Sequence, residues 1–134
     1  MCVEITVAHT VLNLVKYSDI RIFNGVFSMD VMEQIKDQVE QNQILLYMKG
    51  SPNQPQCGFS AKVVQALMAC GQRFAYVDIL SNPEIRTNLP TYANWPTFPQ
   101  LWVKGELIGG CDIITEMHEK GELEPLVREA SEAA

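Results

Sequence analysis

Positive charge is scarce in this chain. Ten lysines and arginines stand against sixteen aspartates and glutamates, a formal net charge of −6. Nucleic-acid binding draws on clustered cations that neutralise phosphates, so no nucleic-acid partner is expected. Long apolar runs are also missing. Nothing approaches the roughly 20 residues that a membrane helix needs, and no membrane association is expected. Histidine occurs twice, at His9 and His118, with no paired spacing. No set of ligands has zinc-site spacing, so a metal site closed within one chain is not expected. Cysteines are few: Cys2, Cys57, Cys70 and Cys111. An even count could indicate disulfides in a secreted protein. The N-terminus has no clear signal-peptide pattern, however, and a core of this size needs no staples. Free thiols in a reducing, cytoplasmic compartment are the expectation. The most informative absence is a cysteine at position 60. Cys57-Gly58-Phe59-Ser60 has a serine where a Cys-x-x-Cys redox pair would have its second thiol. Cys57 cannot close the usual short disulfide and must use a thiol or a metal from outside.

What is present reads as an ordinary globular domain, with 47% apolar and 19% charged residues in 134, enough for one core. Residues 1–28 have no sustained period. Lys16 and Arg21 balance Glu4 and Asp19, unlike an Arg-rich, acid-poor transit peptide. They read as an N-terminal extension outside the domain, with Met29 near the natural start and the domain spanning 29–134. A short extra strand or helix is the alternative.

From Met29 the pattern sharpens. Val31, Ile35 and Val39 form one helical stripe, with Asp30 and Glu33 resembling a capping box and Asn42 a stop. Residues 44–48 suit a buried strand. A proline-rich loop over 51–56 leads to a helix starting near Cys57, with Val63, Val64, Leu67, Met68 and Cys70 on its buried side and Gly71 past its end. A second strand follows over 73–79. Pro83 opens a short helix ending near Leu89. Residues 100–104 and 106–108 form a hairpin across Lys104-Gly105. A helix from about Cys111 to Lys120 and a last helix from about Glu122 complete the chain. Two strands separated by a helix imply a parallel crossover, and the hairpin adds antiparallel strands. The expected class is α/β, a small mixed four-stranded sheet flanked by helices.

Four places could carry chemistry. Cys57 stands at a helix start, where orphan N–H groups and the macrodipole stabilise a thiolate. Lys49 can add positive charge, and Gly58 lets a partner approach. An isolated cysteine is often a buried apolar residue, but this polar, proline-flanked setting argues against burial. In Trp95-Pro96-Thr97-Phe98-Pro99, a cis proline would expose the backbone of Phe98 for pairing with an extended peptide; an ordinary turn with trans prolines is the other option. Gly109-Gly110 before a helix leaves N–H groups free for a carboxylate. Asp112 could accept from a ligand ammonium or simply cap the helix. Cys111 is either a small core residue or a distant resolving thiol. Arg86 is either a solvated helix residue or a second cation at the site. The histidines read as surface residues, Cys2 as tail and Cys70 as core.

Taken in order, Lys49-Gly50-Ser51-Pro52 with Pro55, Cys57-Gly58-Phe59-Ser60, residues 95–100 from Trp95 to Gln100, and Gly109-Gly110-Cys111-Asp112 resemble a monothiol glutaredoxin of the Cys-Gly-Phe-Ser class. The match covers roughly 29–130. Any one piece is weak; four in this order are specific. The resemblance implies a thioredoxin-like fold with Pro99 in cis, and a glutathione site. In that site Lys49 and Arg86 would hold the glycine carboxylate. The Phe98 backbone would pair with the cysteinyl part. Gly110, Cys111 and Asp112 would take the γ-glutamyl end. Phe59, Thr97 and Pro99 are also implied as glutathione-binding residues. The family further implies a [2Fe–2S] cluster bridging a homodimer, ligated by Cys57 and one glutathione per subunit. Its members relay clusters to apo iron–sulfur recipient proteins and pair with BolA-type partners. Residues 1–28 have no counterpart in the short single-domain members.

The leading reading is therefore an iron–sulfur carrier with glutathione as co-ligand. A second is a glutathione-dependent oxidoreductase that deglutathionylates proteins through Cys57. A third is a redox-silent interaction module. A glutathione transferase is disfavoured, since its large helical substrate domain is absent.

Overall fold

The computed structural model describes residues 30–132. The expected extension over 1–28, the start near Met29, and the readings of Cys2 and His9 lie outside the described residues.

Helix α1 (Val31–Gln41) begins at Asp30, whose carboxylate accepts from the Met32 N–H at 3.3 Å. The cap thus closes on Met32. Ile35 and Val39 are buried, and Val31 lies at the edge of the stripe. Strand β1 (Ile44–Met48) is buried at every position. Its side chains alternate between two cores. Ile44, Leu46 and Met48 belong to one; Leu45 and Tyr47 belong to the other. A strand covered on both faces reads as a continuous apolar run, which is why it is legible in the sequence.

Helix α2 (Gly58–Cys70) ends on Gly71 in the left-handed region, φ 77°. Val63, Val64, Leu67 and Cys70 are buried as expected, but Met68 is 42% exposed. At 100° per residue Met68 falls just past the edge of the buried arc, next to Val64. Strand β2 (Ala75–Asp78) is shorter than the stretch from Arg73 that the sequence suggests. Its ladder with β1 begins at Leu45 opposite Ala75, so Arg73 and Phe74 precede the pairing. Helix α3 (Pro83–Ala93) continues beyond Leu89 and through Pro90. The missing proline N–H costs one helical bond. Burial of Ile85 and Leu89, with Tyr92 and Ala93 packed on the same core, offsets it.

Strands β3 (Gln100–Val103) and β4 (Glu106–Gly109) form the hairpin. Lys104 and Gly105 both have positive φ, 53° and 80°, as the tight primed turns require. Helices α4 (Cys111–Glu119) and α5 (Leu123–Glu132) finish the chain.

The sheet order is β2-β1-β3-β4. β1 pairs parallel with β2 and antiparallel with β3, and β3 pairs antiparallel with β4. One core packs α2 and α5 on the sheet; the other packs α1 and α3. This is the expected mixed α/β sheet between helical layers. Among the described residues, no helix is long and apolar enough to cross a membrane.

Leu46 is fully buried in the first core while Met68 is 42% exposed. Leu46→Ala should lower unfolding free energy by about 2–5 kcal/mol. Met68→Ala should stay within about 0.5 kcal/mol of the parent. Urea denaturation measures both, and equal losses would contradict this assignment of the helix face.

Candidate functional site

The segments after β1, at the start of α2, along and after α3, and at the start of α4 meet around a cleft of about 770 Å³. Lys49, Cys57, Phe59, Arg86, Thr97, Phe98, Gly110, Cys111 and Asp112 all line it. Nine of the ten residues expected at the site from the sequence therefore share one concavity. The tenth, Pro99, is buried and does not line it.

Cys57 is the N-cap of α2. Its backbone is extended, φ −151° and ψ 137°, and its carbonyl accepts from the Ala61 N–H at 3.0 Å. The half-buried thiol makes no closed capping bond. A thiolate is the better acceptor, and its surroundings favour that form. The Ser60 backbone N–H is the leading influence holding the Cys57 pKa below the ordinary thiol value. Partial burial opposes the shift. The Phe59 N–H, the Lys49 charge and the Ser60 hydroxyl reinforce it. This is the thiolate stabilisation expected of a helix N-terminus. Cys70 is the contrast. It is buried on α2, and burial, with Glu124 second, pushes its thiol up.

Ser60 has no solvent exposure, and its Oγ accepts from the Lys49 N–H at 3.2 Å. The position where a resolving cysteine would stand instead ties the first turn of α2 to the end of β1. Gly50 follows with φ +90°; a Cβ there would lie 2.5 Å from the Gln54 carbonyl oxygen and 2.8 Å from the Gln56 nitrogen. Those are backbone atoms that cannot step aside, so only glycine fits. The loop folds back through Gln56 N–H to the Lys49 carbonyl at 2.9 Å.

On the opposite wall the Phe98–Pro99 peptide is cis, which decides between the two readings of this segment. No hydrogen bond among the described residues engages the Phe98 backbone. Its N–H and carbonyl are free for an extended ligand. The loop is held from behind by Gln100, which is fully buried. Its amide donates to the carbonyls of Trp95 at 3.1 Å and Thr97 at 3.2 Å. Its oxygen accepts from Trp102 Nε1 at 3.2 Å.

Gly110 caps α4, so Asp112 is not the cap; it lies exposed in the first turn. A Cβ on Gly110 would lie 3.3 Å from the Pro99 oxygen and 3.4 Å from Trp95 Nε1. That close approach brings the start of α4 against the cis-proline loop. Cys111 is half-buried, with Sγ 3.8 Å from Thr115 Oγ1. His118 is exposed, as expected. Among the described residues neither Lys49 nor Arg86 makes an ion pair, and both line the cleft.

Pro90, Trp95, Pro96 and Ile113 also line the cleft. Trp95 and Pro96 lie inside a motif the sequence displays. Pro90 is hidden by its position inside a helix, where proline signals an end. Ile113 has no signal beyond its nearness to Asp112.

The pH dependence of iodoacetamide alkylation at Cys57, located by mass spectrometry, should have its midpoint below that of the unfolded chain. Lys49→Met and Ser60→Ala should each move it up. By linkage, a depressed thiol pKa adds stability above the unfolded value, and that increment is lost as pH falls through the folded value. A midpoint at or above the unfolded one would contradict the stabilised thiolate.

Comparison with known proteins accords with this geometry. A family model described as Glutaredoxin matches residues 44–108. Glutaredoxin 4 of Escherichia coli strain K12 is 67% identical over 100 residues, covering 75% of this chain and 87% of that protein. Glutaredoxin 4 of Haemophilus ducreyi is 62% identical over 103 residues, covering 77% and 96%. The solution structure of reduced poplar apo GrxS14 shares 44% identity at a TM-score of 0.63, covering 73% of this chain and 90% of that one. A monomeric truncated mutant of Trypanosoma brucei 1-C-Grx1 shares 34% identity at a TM-score of 0.67, covering 75% and 92%. The architecture is the thioredoxin-like fold, and with Ser60 in place of a second thiol the chain belongs to the glutaredoxin family, as a monothiol member of the Cys-Gly-Phe-Ser class similar to glutaredoxin 4.

Proposed function

We propose that this glutaredoxin binds glutathione in its cleft, shares a [2Fe–2S] cluster between two copies of itself, and passes that cluster to apo iron–sulfur proteins. The observation that carries the reading is Cys57 at the cleft, in surroundings that favour its thiolate, with a buried Ser60 where a Cys-x-x-Cys pair would have its second thiol. A [2Fe–2S] cluster takes four sulfur ligands. Among the described residues, no group of three or more His, Cys, Asp or Glu could hold a metal ion. One chain offers Cys57, and a bound glutathione offers a second thiol. Two such half-sites make four ligands, so the loaded form is a homodimer.

The cleft suits glutathione at each end. Lys49 and Arg86, which make no ion pair among the described residues, offer their charges to its glycine carboxylate. The unpaired Phe98 backbone takes its cysteinyl part as an added strand residue. The N–H groups at the start of α4, from Gly110 and Cys111 onward, with Asp112 beside them, receive the γ-glutamyl carboxylate and ammonium. Phe59 and Thr97 complete the lining, with Pro99 buried behind it. Because the cargo is held by one protein thiolate per subunit, opening the dimer exposes it for ligand exchange. Apo recipient proteins and a BolA-type protein are the partners of this reading, and a reducing cytoplasm is the compartment in which such thiols persist.

The lowered Cys57 pKa favours a second activity at the same sulfur. The thiolate attacks the glutathione sulfur of a protein mixed disulfide, forming Cys57–glutathione and releasing the protein thiolate. A second glutathione thiolate then attacks, yielding glutathione disulfide and free Cys57.

Anaerobic reconstitution with iron, sulfide and glutathione should give a coloured dimer, read by visible absorbance and sedimentation. Cys57→Ser should give a colourless monomer. A parent protein that stays colourless and monomeric would overturn the cluster reading. Turnover of a glutathionylated protein with glutathione and glutathione reductase then measures the exchange activity on its own.

A further inference from the structure

Two cations, Lys49 and Arg86, enter the cleft from different elements, one after β1 and one on α3. Lys49 is followed by the tight Gly50 loop, and Arg86 lies in the first turns of a helix. Their separation is set by whatever joins the end of β1 to the start of α3. Beside the β1–β2 ladder and the bond from the Ile79 N–H to the Met48 carbonyl at 2.9 Å, one side chain ties that junction: Asp78, the last residue of β2 and the register partner of Met48.

Asp78 Oδ1 accepts from the Gly50 N–H at 3.0 Å, across 28 residues of sequence. The same oxygen accepts from the Leu80 N–H at 2.9 Å. Oδ2 accepts from Ser81 Oγ at 3.0 Å. The main-chain carbonyl of Asp78 accepts from Asn82 Nδ2 at 2.8 Å. Asn82 is the N-cap of α3, and its carbonyl accepts from the Arg86 N–H at 3.0 Å. One carboxylate therefore grips the segment that carries Lys49 and the turn that launches the helix carrying Arg86. It does not line the cleft and pairs with neither cation. An ordinary turn aspartate would bond only its own neighbours, as in an Asx-turn. The bond to Gly50 goes beyond that, and it is charge-assisted and geometrically demanding.

We propose that Asp78 is a positioning residue that fixes Lys49 and Arg86 relative to one another and so sets the affinity of the cleft for the glycine carboxylate of glutathione. This rests on the glutathione reading above. The effect is one of geometry and not of charge. Asparagine at 78 keeps an oxygen for the two N–H groups and an NH₂ for the Ser81 hydroxyl, while losing the negative charge.

The test compares glutathione with its glycine monoethyl ester, which lacks the carboxylate, by NMR titration of folded, full-length protein. Wild type should bind glutathione more tightly than the ester. Asp78→Ala should weaken glutathione by about tenfold, the scale of one lost hydrogen-bonded contact, and leave the ester unchanged. Asp78→Asn should restore wild-type affinity. Asp78→Ser keeps a hydroxyl for the local turn but is too short to reach Gly50. It should behave as Asp78→Ala, and it carries the comparison if the alanine variant fails to fold. Equal weakening of both ligands would mean a general structural role and overturn the inference. Alike behaviour of the Ala and Asn variants would assign the effect to charge and also overturn it. Undiminished glutathione binding by Asp78→Ala would do the same while leaving the glutathione reading intact. A wild-type protein that binds no glutathione, or does not distinguish it from the ester, would remove the reading on which the inference stands, and the inference with it.

Discussion

A sulfur anion is favoured by donors aimed at it, and here they are the backbone N–H groups of the first turn of α2. They favour the thiolate only if that turn is held in place relative to the rest of the site. The bond from the Lys49 N–H to the buried Ser60 hydroxyl does this. It fixes the helix that presents Cys57 against the most buried strand of the sheet. The same serine contributes to lowering the thiol pKa through its own N–H and hydroxyl. Position 60 thus exchanges a second redox group for a structural one, and Cys57 is presented on a helix start held in place from behind.

The rest of the cleft is assembled by comparable ties from behind. Gln100 is inaccessible, yet its amide holds two carbonyls of the loop that displays Phe98. Gly110 has no side chain, and for that reason α4 can approach the Trp95 ring and the Pro99 carbonyl. Asp78 joins two loops from beneath. The side chains of Ser60, Gln100 and Asp78 have their polar atoms bonded within the protein, whereas among the described residues the Lys49 and Arg86 side chains make no ion pair and the Phe98 backbone no hydrogen bond. A site whose supporting side chains are fixed and whose ligand-facing groups are unpaired is pre-organised to accept partners.

Much of this was legible in the chain. The strand at β1 is continuous apolar sequence because both its faces are covered. The hairpin turn at Lys104-Gly105 and the helix end at Gly71 follow from the positive φ those positions need. The site residues were legible because rare types cluster in short motifs. What could not be read was long-range. Helix α3 runs through Pro90 because packing outweighs a local rule. Met68 misses the core by a fraction of a turn, which a list of apolar spacings does not resolve. Ser60, Asp78 and Gln100 look like ordinary polar residues until their partners, 11, 28 and 3–5 positions away, are seen.

The two cores on opposite faces of the sheet have a consequence for how this protein responds to a ligand. Cys57 extends from a helix packed in the α2 and α5 core, and Arg86 from a helix packed in the α1 and α3 core. A molecule filling the cleft touches both at once. It acts as a fastener across the sheet, so its binding free energy is shared by both halves of the domain, and the occupied protein unfolds as a single unit at a higher temperature than the empty one.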